Sequence, residues 1–176
     1  MNLIVASPNW LTIPLLLLLL AAAIEDAARL KISNLTCGLV FVGALVAMAA
    51  NGFSFSLWQN VLVCIVILTL GTPAFAAGWL GGGDVKLLAS LGLWLDLQAA
   101  VGLIAAVFIA GGLLAIVSIL GRRAGIWRRH SNPRTARIPY GIAIAAGAIF
   151  IFGVQLTQRP TDPFMDRMHA LQAQHR

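Results

Sequence analysis

The stretch Gly81-Gly82-Gly83-Asp84-Val85-Lys86-Leu87-Leu88 sets three consecutive glycines and a carboxylate at the head of an apolar segment that runs to about residue 97. About 13 apolar residues cover only about 20 Å at 1.5 Å per residue, short of a bilayer core about 30 Å thick. The segment is therefore expected to begin below the membrane surface, inside the protein. Unwound glycines at that depth are tolerated only where they are buried in protein or line a wet cavity. Glycine also lets another backbone approach without a Cβ in the way, and an extended peptide can pair with such a strand-like stretch. Asp84 reads as an N-cap, where a carboxylate meets free N–H groups and the positive end of the helix dipole.

Around this stretch, apolar segments fall at about 10–28, 35–50, 59–78, 85–97, 99–120 and 138–156. Hydrophobic residues make up 60% and charged residues 10% of the chain, and mean hydropathy is +0.90. An ordinary soluble domain carries about 25% charged residues. The expected fold is all-α: a polytopic membrane protein of about six transmembrane helices. Residues 1–156 form a single membrane-embedded domain, and 157–176 a polar C-terminal tail. Leu15 to Leu20 followed by three alanines invites a signal-peptide reading, but residues 1–14 contain no Lys or Arg. The positive n-region is missing, so the segment is read as a retained first span.

The net charge of +6 does not call for a nucleic-acid partner, because the basic residues sit at segment ends. Arg29, Lys31, Lys86 and six arginines between residues 122 and 137 account for nine of the twelve. The alternate connections carry none. The positive-inside rule then predicts both termini outside and the three basic connections in the cytoplasm. The arginine-rich loop 121–137 is expected to meet anionic lipid headgroups. Asp26 and Asp84, 58 positions apart, fall at similar depth on the cytoplasmic side. Their meeting requires helices one and four to pack together, which nearly all-apolar spans do not reveal through periodicity.

Only six residues are acidic, and carboxylates beside or within membrane spans point to function. Two close carboxylates sharing one proton carry out hydrolysis: the ionised member deprotonates a water while the protonated member polarises the scissile carbonyl. No metal, cofactor or nucleophilic side chain is needed. A plain alternative for Asp26 is a solvated helix-end residue paired with Arg29 at i+3. Glu25 points about 100° away around the helix, so at most one of the two faces Asp84. Lys86 reads most simply as a snorkelling interfacial charge, with a tuning role at the acid pair as the second reading. Asp96 reads as a solvated loop residue on the opposite side. Cys37 and Cys64 read as small buried hydrophobes, and the three histidines as solvated surface. Pro139 suits a first helical turn, and Tyr140, the only tyrosine, suits an interfacial anchor at the depth of the aspartates.

Asp26 with Arg29-Leu30-Lys31-Ile32-Ser33-Asn34-Leu35-Thr36, then Gly81 to Leu88, resembles the type IV prepilin peptidases, intramembrane aspartic proteases of the GxGD type. Ile138-Pro139-Tyr140-Gly141 with the following small residues resembles the family's last helix, most closely in its small tight-adherence (Flp pilus, TadV/CpaA-like) members. The likeness spans about residues 15 to 156. It implies Asp26 and Asp84 as the catalytic pair, with Gly81, Gly82, Gly83, Lys86, Asn34, Pro139 and Tyr140 binding substrate or shaping the site. It implies an endopeptidase of the bacterial inner membrane that removes a short basic leader from prepilins at the cytoplasmic face, after a glycine and before the hydrophobic pilin helix. Partners implied are the prepilin, the bilayer and other pilus assembly proteins. The substrate helix would dock through Gly and Ala surfaces. Where the family often has Ile-Pro-Asn, this chain has Ile32-Ser33-Asn34. It also lacks the paired cysteines of larger members that N-methylate the cut pilin, so methyl transfer is not expected. Competing readings are a GxGD protease for other membrane peptides, a proton-relay transporter using both aspartates, and a non-enzymatic pilus assembly protein.

Overall fold

The computed structural model describes residues 1–52, 54–123 and 140–157, which form seven α-helices and no strand. A short α1 (Leu3–Ala6) leads into α2 (Asn9–Arg29), α3 (Asn34–Ala50), α4 (Trp58–Ala76), α5 (Gly82–Gly92), α6 (Leu97–Arg123) and α7 (Tyr140–Thr157). Each expected apolar segment is a helix, with ends shifted by a few residues. Four stretches are long and apolar enough to cross a membrane: Asn9–Arg29, Phe55–Ala76, Leu97–Gly121 and Tyr140–Thr157. The protein is an all-α polytopic membrane protein. The tail and most of the basic loop, with Pro139 and all three histidines, lie outside the described residues.

The shortest of the six predicted helices is the most enclosed. α5 has 11 residues, about 16 Å of rise, and Asp84, Val85, Leu87, Ala89, Ser90, Leu91 and Gly92 are buried on it. It packs against α4 and α3 and also touches α7. Apolar residues on several sides of a helix fit burial in protein, whereas α6 and α2 leave Phe108, Ile109, Leu113, Leu17 and Ile24 exposed. Such outward apolar surface is what a hydrocarbon solvent accepts and water does not.

Polar side chains fasten the end of the bundle remote from the aspartates. The fully buried Asn60 donates from Nδ2 to the carbonyls of Met1, at 2.9 Å, and Leu93, at 3.0 Å. Trp94, 1% exposed, donates from its indole nitrogen to the Val40 carbonyl at 3.0 Å. The Asp96 carboxylate accepts from the Ala99 N–H at 3.0 Å and so caps the start of α6. Elsewhere small residues bring backbones together. A Cβ on Gly147 of α7 would stand 3.0 Å from the Val107 backbone nitrogen of α6, a close approach of the kind that joins membrane helices.

Two expectations need correction. The glycine run is not an unwound strand-like stretch: Gly81 is the extended cap residue, and Gly82, Gly83 and Asp84 already form the first helical turn of α5. Asp84 therefore stands at the third helical position rather than at the cap, from where its carboxylate reaches back to the Gly81 N–H at 3.0 Å. Nor do the first and fourth predicted helices, α2 and α5, share a broad interface. α2 packs on α7 and α3, α5 packs on α4 and α3, and α7 touches both.

Candidate active site

One end of the bundle gathers the end of α2, the start of α3, the end of α4 and the starts of α5 and α7. A cavity of about 620 Å³ opens there, and both Asp26 and Asp84 line it. Both are buried, at 4% and 7% exposure, and they lie within electrostatic reach of each other. The solvated reading of Asp26, paired with Arg29, does not hold. Its carboxylate instead accepts the Ile142 backbone N–H at 3.3 Å, in the first turn of α7.

Each aspartate thus rests against a helix amino terminus, α7 for Asp26 and α5 for Asp84. Backbone N–H groups there have no intrahelical acceptor and favour negative charge. One oxygen of each carboxylate takes such a bond, and the Gly141 N–H also bonds the Asp26 carboxylate. Each carboxylate is thereby positioned on the cavity that both aspartates line.

Glycines make this geometry possible at three points. A Cβ at Gly81 would sit 2.6 Å from Asp84 Oδ2, and one at Gly83 would sit 3.0 Å from the Ile32 Cβ and 3.1 Å from its carbonyl oxygen. At Gly141 a Cβ would come within 2.8 Å of the Cβ, Cγ and Oδ2 of Asp26. The run at 81–83 is visible in the sequence; the requirement at Gly141 was missed. Its signal was its place directly after Pro139-Tyr140, but only the packing of α7 on α2 shows what the missing Cβ accommodates.

Gly81, Gly82, Gly83 and Tyr140 join the aspartates in lining the cavity, with Leu30, Lys31 and Ile32 from the α2–α3 turn. Phe75 and Trp79, from the end of α4 and the turn after it, complete an aromatic side, and Trp79 is 75% exposed. Asn34 and Lys86 are not brought to the cavity lining. They bond to each other, Lys86 Nζ to Asn34 Oδ1 at 2.9 Å, on an exposed surface linking α3 to α5. Cys37 is buried, and its thiol reaches the Gly83 carbonyl at 3.6 Å. Among the described residues no group of three or more His, Cys, Asp or Glu is placed to hold a metal ion.

A polytopic helical bundle with two buried carboxylates in one cavity has the ingredients of an intramembrane hydrolase. The model of the type IV leader peptidase family matches residues 13–116. The chain belongs to that family, and is a peptidase by that membership. The matched region runs from α2 into α6 and contains both aspartates. No curated protein and no solved structure matches the chain.

Proposed function

We propose that this protein is a prepilin peptidase of the bacterial inner membrane, cutting a short basic leader from Flp-type or related type IV prepilins by a water held between Asp26 and Asp84. The observation that carries this reading is the convergence of two buried aspartates from distant parts of the chain on one cavity. Two carboxylates buried in one cavity and within electrostatic reach of each other do not easily both ionise, and in this reading the pair shares one proton. The ionised member takes a proton from the water as it attacks the scissile carbonyl. The protonated member donates to the carbonyl oxygen, and the amide nitrogen leaves with a proton. Asp84 is tied to Gly81 within its own helix and Asp26 to Ile142 of another, so the two oxygens meeting water have independent supports.

A cytoplasmic site is supported by Arg29, Lys31 and Lys86, which fall at the cavity end of the bundle and follow the positive-inside rule. The glycine surface at 81–83 and the aromatic side at Phe75 and Trp79 suit a small residue at the cut followed by an apolar helix. Clustering of both carboxylates at one end argues against a proton path across the bilayer.

The test is coexpression with a prepilin that carries a short basic leader ending in glycine before an apolar helix, followed by gel shift and mass. Asp26→Asn and Asp84→Asn should each abolish cleavage while the protein still inserts. Processing that survives either change would remove that residue from the chemistry.

A further inference from the structure

We infer that Glu25 is a positioning residue for the aspartate pair, acting through the α2–α3 turn; the inference rests on the peptidase reading above. Glu25 adjoins Asp26 in sequence but turns away from the cavity. Its Oε2 accepts the Ser33 backbone N–H at 2.9 Å, and both carboxylate oxygens lie 3.1 Å from the Thr36 hydroxyl. Ser33 in turn caps α3, its Oγ accepting the N–H groups of Leu35 and Thr36 at 3.1 and 3.2 Å. One carboxylate therefore ties the end of α2 to the start of α3.

The turn so clamped is part of the cavity wall. Leu30, Lys31 and Ile32 line it, and Ile32 lies directly on Gly83, the residue before Asp84. Leu30 holds a left-handed backbone, φ 52°, with its N–H on the Asp26 carbonyl at 2.9 Å. A non-glycine residue is strained there, so the turn needs outside support to keep its shape. Since α2 and α5 share no broad interface, this turn is one of the few structures touching both aspartate-bearing segments. Glu25 fixes it with charge-assisted bonds, which are stronger than neutral ones.

The test uses the purified full chain in detergent with the prepilin described above, measuring kcat and KM separately. Glu25→Ala should lower kcat about tenfold with KM within about twofold, since small displacements of positioned groups fall mainly on the chemical step. Glu25→Gln keeps an acceptor for Ser33 and a partner for Thr36, and should recover at least half of the wild-type kcat. Thr36→Val, a near-isosteric change outside the cavity lining, should lower kcat about threefold and provides the measurement if Glu25→Ala does not fold. Wild-type kcat in Glu25→Ala, or in Thr36→Val where that variant carries the test, overturns the clamp. So does a Gln variant as impaired as the Ala variant. Asp26→Asn run in parallel separates the two ideas. An inactive Asn variant beside a fully active Ala variant refutes the clamp alone, whereas an active Asn variant refutes the aspartate mechanism itself.

Discussion

Gly141→Ala asks how tightly Asp26 is held. The added methyl would lie 2.8 Å from three atoms of the aspartate side chain, where ordinary contacts begin at 3.4 Å. Either the carboxylate or the start of α7 must yield by about half an ångström, which is the tolerance of a working catalytic constellation. The bond between Asp26 Oδ2 and the Ile142 N–H, already 3.3 Å long, is the contact that gives first. Overpacking of this kind costs about 1–3 kcal/mol, partly offset by about 0.5–1 kcal/mol from replacing glycine with alanine in a helix. Net stability should fall by only about 1 kcal/mol, so the variant should insert and accumulate. On the proposed mechanism cleavage should nonetheless fall by about 10- to 100-fold, because displacement of a reacting group is far costlier to rate than to stability. Gly153→Ala is the control: it lies on the same helix with nothing within 4 Å of the added carbon and should cleave normally. The assay is a time course of leader loss for both variants at matched enzyme levels. Wild-type cleavage by Gly141→Ala would show that Asp26 needs no such close approach, and would refute the cap formed by α7.

Two further outcomes follow from other parts of the molecule. Asn60→Ala strands the Met1 and Leu93 carbonyls in a buried site and should lower stability by about 2 kcal/mol or more, read as a lower thermal midpoint in detergent; an unchanged midpoint would contradict the buried network. Lys86→Met and Asn34→Ala each delete the same exposed 2.9 Å bond, so each should cut cleavage by less than about threefold, and the double variant should be no worse than either single, as expected for one shared interaction worth about 1 kcal/mol. A loss at Lys86 comparable with that of the aspartate variants would instead put its ammonium group in the chemistry.

The six apolar segments were legible because hydropathy needs no tertiary information, and helix ends shifted by only a few residues. Asp26 and Asp84 stood out for the same reason: a carboxylate at the edge of an apolar span is conspicuous in composition. How the two come together was not legible. Helices apolar all round carry little periodic signal, so nothing in the sequence says that α3 and α7 bridge what α2 and α5 do not share. The state of the glycine run was misjudged because glycine has low helix propensity. Here the Asp84 carboxylate bonds the cap N–H and the Cys37 thiol bonds the Gly83 carbonyl, contacts that local preference does not weigh. Glu25 was seen only as a neighbour facing elsewhere; its role depends on a turn whose shape requires Leu30 in a left-handed conformation.

The indirect coupling of α2 and α5 bears on how a membrane-bound chain reaches two residues buried in the bundle. Most helix pairs must break apolar packing before anything passes between them, and that penalty is largest where their faces interlock. Here the two aspartate-bearing helices are joined through third parties, α3 and α7, each of which packs on both. On the peptidase reading, a peptide strand entering the cavity would not have to part a broad α2–α5 seam. The scaffold can keep its rigidity in these flanking contacts while the cavity that both aspartates line stays free of an α2–α5 seam.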